Sequence, residues 1–301
     1  MPNLLDPKND FVFKRLFAGA PHLLADLINA VRHGEAPVEV VEVLNPRIEP
    51  AELTGKFIVL DVLARDALGR LFNVEMQVRR HADWPLRSAY YLARTLANQL
   101  QGGEDYGELK PVVGIHLMDF ELFEQDQAHW CFELRDRHHS AVVLTPSLQL
   151  HLIELPKADR LRQADAPAVL TDWIAYFEHW HEDTIMNAIT HEPIRQALQQ
   201  LQDLSADADA QRLAFVRERA LRDERSELLA ARQEGRQEGR DEGRQEGRQQ
   251  GRAAVVAHLL QLKFGPVTAA SQQRLDQADE PLLHAWAARI LTSHSLDEVF
   301  T

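Results

Sequence analysis

Two carboxylates, Asp61 and Glu75, have the types and spacing best suited to chemistry. They lie in "FIVLDVLARDALGRLFNVEMQV", residues 57–78, which reads as a β-hairpin. The second arm alternates, with Phe72, Val74, Met76 and Val78 on one face and Asn73, Glu75, Gln77 and Arg79 on the other. The first arm is nearly all apolar, yet carries Asp61 at its centre. Gly69 supplies the positive-φ position of a short turn. With the hairpin centred near Leu68, Asp61 and Glu75 stand directly opposite each other, and such partners have Cβ atoms roughly 5 Å apart. Gln77, two residues on, shares their face. Like charges opposed in a sheet are destabilising unless a cation lies between them. Two carboxylates with an amide oxygen nearby suit a hard cation such as Mg²⁺, which keeps water ligands, and water so held can hydrolyse a phosphodiester. The residues leave two other readings open. One is an exposed hairpin face whose acids pair with arginines. The other is a register shifted by one, which sends the carboxylates to opposite faces.

The elements around the hairpin have to position it. Residues 9–33 read as helical, broken in two by Gly19 and Pro21. "VEVVEVL" (38–44) reads as a strand ended by Pro46 and Pro50. After the hairpin, Pro85 sits near a helix start, and residues 86–100 place Leu86, Ala89, Tyr90, Ala93, Leu96 and Leu100 along one face. "QGGEDYGELK" is a loop, "PVVGIHLMDF" (111–120) a strand, and "HWCFELRD" and "LQLHLIEL" two more. The first half thus reads helix, strand, strand, strand, helix, strand, with a β extension. Residues 168–230 read as helical throughout.

Composition bounds the class. The chain has 301 residues, 45% hydrophobic and 26% charged, which fits a soluble protein of one large or two modest domains. No run of 18 or more apolar residues appears, and the N-terminus lacks the pattern of a secretory signal. Cys131 is the sole cysteine, which excludes an internal disulfide framework and any multi-cysteine zinc site; the expected compartment is a reducing cytoplasm. A formal charge of -13 argues against a general nucleic-acid coat protein, but not against an enzyme touching DNA through a local basic patch. "HWHED" (179–183) and His138-His139 lack a helical i, i+4 histidine pair and read as surface features. Neither a phosphate-cradling glycine loop nor a nucleophile elbow is present.

Strand–turn–strand with Asp on one arm and Glu-x-(Lys/Gln) on the other, flanked by helices, resembles the PD-(D/E)XK nuclease superfamily. More closely, "DFVFKRLF", "LDVLARDALGRLFNVEMQ" and "RSAYYLARTLANQLQGGEDYGELKPVVGIHLMDF" resemble the Rpn family of recombination-promoting nucleases, over about residues 6–160. The resemblance implies an α/β fold, a PD-(D/E)XK restriction-endonuclease-like core with a mixed sheet flanked by helices. It implies an Mg²⁺-dependent DNA endonuclease tied to recombination or mobile elements. Asp61 and Glu75 match its metal-binding acids, and Gln77 stands where the superfamily has lysine. Glutamine can hydrogen-bond but brings no charge to water or phosphate. Lys14 in "DFVFK" is the candidate replacement, with Asp10 as an extra acid; helix capping and surface charge account for both equally well. Arg79, Arg80, Arg87 and Arg94, with Tyr90 among them, suit contact with a DNA backbone. Their other reading is a solvated helix face with Tyr90 packed inward. A second functional reading keeps the fold and loses the chemistry: a weak or inactive nuclease-fold protein acting as an oligomeric, DNA-associated interaction module.

Beyond the expected nuclease-like domain (1–165) and a helical region (166–231) comes "RQEGRQEGRDEGRQEGRQQGR", residues 232–252. Arginine and glycine each recur every four residues. In a helix the order around the axis is Glu, Gly, Arg, Gln, so Glu and Arg lie two apart and do not pair within the helix. Glycine costs roughly 1 kcal/mol per residue relative to alanine, so a lone helix of this kind is poor. Two helices meeting along the glycines could complete complementary bridges, which points to homo-oligomerisation through a right-handed coiled coil. The other reading is a flexible linker. Six arginines against five acids do not make a DNA-binding arm. Residues 253–301 offer short helices punctuated by Gly265-Pro266 and Pro281, a small helical domain that resembles one of unknown function attached to such nucleases.

Overall fold

The computed structural model describes residues 4–44, 62–100, 102–161 and 166–301. Asp61 and the first arm of the hairpin up to it lie outside the described residues. The chain order is α1 (Asp10–Gly19), α2 (Pro21–Val31), β1 (Val40–Val43), β2 (Val62–Asp66), β3 (Leu71–Gln77), α3 (Trp84–Ala97), β4 (Val112–Met118), β5 (His129–Arg135) and β6 (Val143–Glu154). The helices α4 (Leu155–Leu161), α5 (Ala168–His179), α6 (Asp183–Ala188), α7 (Glu192–Ala206), α8 (Ala208–Phe264), α9 (Ala269–Gln277), α10 (Glu280–Thr292) and α11 (Leu296–Phe300) follow. The six strands form one mixed sheet in the order β1-β2-β3-β4-β6-β5. Its three central strands run parallel, and β1, β2 and β5 pair antiparallel at the flanks.

A parallel strand between two others is covered on both faces. All seven residues of β3 are accordingly buried, polar ones included. One face carries Phe72, Val74, Val113 and Ile115, which pack with Phe13 and Phe17 of α1, Leu24 and Leu27 of α2, and Trp173 and Phe177 of α5. The helices of residues 168–214 thus share the sheet's own core. Burying a Phe or Leu contributes about 1.5–3 kcal/mol each, and this face carries the largest cluster of them. The opposite face carries Leu71, Asn73, Glu75 and Gln77 and lies under α3, where Leu92 packs with Leu71 and Val112, and Trp84 with Met118 and Leu152.

The inward stripe of α3 is not the one the alanines and Tyr90 suggest. Trp84, Ser88 and Leu92 are buried at a spacing of four, whereas Leu86 is 77% and Tyr90 59% exposed. Gly114 explains the choice. A Cβ there would stand 2.9 Å from Leu150 Cδ1 and 3.1 Å from Leu92 Cδ2, so the bare backbone of β4 is what Leu92 packs onto. Leu92 fills this space, Trp84 packs further along on Met118 and Leu152, and the shorter alanines face out.

Two compact units divide the chain, Met1–Ala220 and Leu221–Thr301. In the second, Ala253, Val256 and Leu260 of α8 form a small core with Leu275, Leu283, Trp286, Ile290 and Val299. No helix among the described residues is long and apolar enough to cross a membrane.

Candidate active site on the β3 face

The hairpin turn is built by Asp66 and Gly69. Gly69 adopts φ +80°, and its N–H donates to the Asp66 carbonyl at 3.0 Å. Asp66 Oδ1 accepts from the Leu68 and Arg70 amides at 3.0 and 2.7 Å, and Oδ2 pairs with Arg70 Nε at 2.7 Å. These bonds fix the register: Arg65↔Leu71, Ala64↔Phe72, Leu63↔Asn73 and Val62↔Val74, a hairpin centred on Leu68.

Glu75 lies in mid-strand and is 4% exposed. Neighbours two residues away share its face. Asn73 Nδ2 donates to Oε1 and Gln77 Nε2 to Oε2, both at 2.9 Å. Across the parallel ladder its partner is His116 of β4. His116 Nδ1 stands 3.1 Å from Glu75 Oε2 but off the line of a hydrogen bond; neither ring nitrogen of this buried histidine makes one among the described residues. Trp84 closes over the imidazole edge-on, with ring centroids 5.2 Å apart. The exposed-face reading of the hairpin therefore fails, because its polar side is roofed by α3.

The donor chemistry of this face suits a hard cation. It offers a carboxylate and two side-chain amides, each of which presents an oxygen in place of its NH₂ when its terminal torsion turns by half a circle. Among the described residues no three His, Cys, Asp or Glu side chains are grouped to hold a metal ion; Asp61, the other acid singled out by sequence, lies outside them. Glu154, at the end of β6, provides a contrast. Its carboxylate takes the Leu122 and Phe123 amides at 2.5 and 2.8 Å and pairs with Lys157 Nζ at 2.5 Å, a buried ion pair that ties the loop after β4 to the sheet.

The other sequence candidates separate. Lys14 of α1 is buried, 4% exposed, and engaged. Asp10 opens α1, accepts the Phe11 amide at 2.8 Å and lies 3.5 Å from Arg217 Nε of α8. Burial pushes its carboxyl above the usual range, against the pull of Arg217. Asp10 is thus a helix-start acid paired across to α8. Arg80 and Arg94 are exposed, Arg79 and Arg87 partly so. Tyr90, expected inward on one reading, stands out in solvent, its ring 5.8 Å from that of Tyr91. Arg94 Nη1 lies 3.5 Å from Tyr90 Oη, and the Arg87 guanidinium lies 6.0 Å from the Tyr91 ring. Leu86, Tyr90 and Tyr91 with these arginines thus give α3 an exposed aromatic and basic surface. Two of the histidines set aside are held by carboxylates: His139 by Asp136 at 3.2 Å, and His179 by Glu182 and Asp159 at 2.7 and 3.0 Å.

Sequence reasoning passed over His116, Trp84 and Gly114. His116 did leave a signal: it is the one titratable side chain inside the otherwise apolar strand "VVGIHLM". The same argument singled out Asp61.

A family model described as PD-(D/E)XK nuclease family transposase matches residues 7–231. No curated protein and no solved structure matches the chain.

Proposed function

The chain belongs to the PD-(D/E)XK nuclease family of transposases, and we propose that it is a divalent-metal-dependent DNA endonuclease whose centre is built around Glu75. The observation that carries the reading is a buried glutamate on a central parallel strand, with Asn73 and Gln77 both turned to its carboxylate. By turn counting in the sequence, Asp61 is the candidate partner of Glu75. Asp61 and Glu75, with an amide oxygen of Gln77 or Asn73, would hold the ion, for which Mg²⁺ is the candidate. When bound, the ion supplies an activated water and offsets charge on the phosphate.

The chain's own residues supply position. Asn73 and Gln77 fix the rotamer of Glu75, so its two oxygens point in set directions. Trp84 and α3 exclude bulk water from that face, which strengthens each electrostatic interaction there. Gln77 offers the phosphate a hydrogen bond; α1, which carries Lys14, packs on the sheet's other face, so the charge that glutamine lacks is not assigned to Lys14. Arg79, Arg80, Arg87 and Arg94 take the DNA backbone, and Tyr90 adds a surface for a base or sugar. In the same reading the chain works as a homo-oligomer through residues 232–252, and its role is in recombination or mobile-element activity in the cytoplasm.

Plasmid cleavage with and without Mg²⁺ tests the reading, comparing the wild type with Asp61→Ala and Glu75→Ala. Metal-dependent nicking abolished by both substitutions is the expected result. Nicking that is absent, or indifferent to them, removes the nuclease reading. DNA binding that survives without any cutting identifies the inactive, DNA-associated module instead. Sedimentation of a chain lacking residues 232–252 tests the oligomer: an unchanged state removes it.

A further inference from the structure

We propose that the repeat of α8 pairs with the same segment of a second copy in parallel and in register. The inference rests on the homo-oligomer reading above and adds its direction. In the structure residues 232–252 are helical and almost wholly exposed. Among the described residues no ion pair joins two members of the repeat; the repeat's last arginine, Arg252, pairs outside it with Glu280. A Cβ at Gly235, Gly239, Gly243, Gly247 or Gly251 would meet nothing within 4 Å. Among the described residues nothing therefore packs against these glycines, although each weakens the helix.

The charges select the direction. Around the helix each glycine has glutamate on one edge and arginine on the other, because successive residues turn by about 100°. A twofold axis along the helices exchanges the edges, so the glutamate edge of one copy faces the arginine edge of the other. A twofold axis across the helices, which makes them antiparallel, sets glutamate on glutamate and arginine on arginine. Only the parallel pair is complementary, and bare glycine backbones allow the close right-handed crossing of small-xxx-small helix pairs.

An apolar stripe makes the same choice. Continued in steps of four, the glycine column runs into Val255 and Leu259, with Leu262 one turn further. These are 60%, 38% and 70% exposed, while Ala253, Val256 and Leu260 fill the unit's core. In a parallel, in-register pair Val255 meets Val255 and Leu259 meets Leu259. In an antiparallel pair centred on Gly243 they would meet Ala231 and Glu227.

Cysteine cross-linking of the full chain decides it. In a Cys131→Ser background, Gly239→Cys and Gly247→Cys are prepared separately, and each is oxidised alone and as a mixture. Both positions have open space for a side chain. The parallel pair predicts a disulfide dimer for each variant alone and no 239–247 cross-link in the mixture. Those positions are about 12 Å apart along the helix, beyond disulfide reach of about 7 Å between Cα atoms. Cross-links in the mixture only mean an antiparallel pair, which overturns the direction and leaves the oligomer standing. Equal cross-linking in all three samples means random encounter and overturns the proposal. No cross-link in any sample, with the wild type sedimenting as a monomer, overturns the oligomer reading as well.

Discussion

The Glu75 face and the repeat of α8 are the two polar patterns that dominate this sequence, and the fold treats them in opposite ways. Asn73, Glu75 and Gln77 are 6%, 4% and 5% exposed and hydrogen-bonded to one another. The charges of the repeat stand in solvent with no ion pair among themselves in the described residues. A buried polar group is costly unless partnered, so each member of the first pattern depends on the others. An exposed charge is screened and largely independent, so the second pattern can act only as a sum over many residues. One site should therefore break with one substitution, and the other should fail gradually.

The comparison is sharpened first by Gln77. Gln77→Leu removes the donor to Glu75 Oε2, and loss of such a supporting bond costs roughly 10- to 100-fold in activity or metal affinity. Gln77→Lys, which restores the superfamily residue, should raise cleavage above wild type. A variant that cuts no better would show that another group already supplies the charge. Initial nicking rates measure both.

A second buried pair tests the fold by pH. On the sheet's other face, His151 Nδ1 lies 3.1 Å from His129 Nε2. Burial, and then the charge of His129, depress the His151 pKa to about 4. The unfolded chain binds this proton near pH 6.5 and the native chain does not. Stability is thus full above about 6.5 and falls as the pH drops toward 4, by roughly 3 kcal/mol in all. Urea denaturation of His151→Gln should show a flatter dependence across that window.

Gly114→Ala comes next. Its Cβ would crowd Leu150 and Leu92, and overpacking of this kind costs about 1–3 kcal/mol. The thermal midpoint should fall, and cleavage with it, because α3 roofs the Glu75 face. The smallest effect belongs to the repeat. Glu238→Gln, exposed there, should change stability by less than about 0.5 kcal/mol, read as the shift in thermal midpoint. A large effect from this single change would erase the distinction between the two regions.

Much of the architecture was legible in residue patterns. The period-two alternation of β3, the turn glycine and the apolar run of β4 announced a hairpin and a strand, and the register centred on Leu68 follows from where Gly69 must sit. The sequence order helix, strand, strand, strand, helix, strand is the order of α1 through β4, with α2 following α1. The inward face of α3 was not legible. Leu86, Ala89, Tyr90 and Ala93 form an acceptable stripe by spacing, and the choice of Leu92 instead follows Gly114, some 20 residues away in the chain, while Trp84 packs on Met118 and Leu152.

What this sequence determined by itself is therefore local and periodic: the hairpin and its register, the helical repeat with its columns of charge, and the placement of Asn73, Glu75 and Gln77 on one face. These follow from backbone geometry, which repeats every two or about 3.6 residues whatever the chain packs against. Only the tertiary structure decided that this face is buried, that His116 stands beside Glu75 with Trp84 over it, and that Tyr90 is left in solvent. Burial depends on which distant elements come together, and no residue spacing within one element records that.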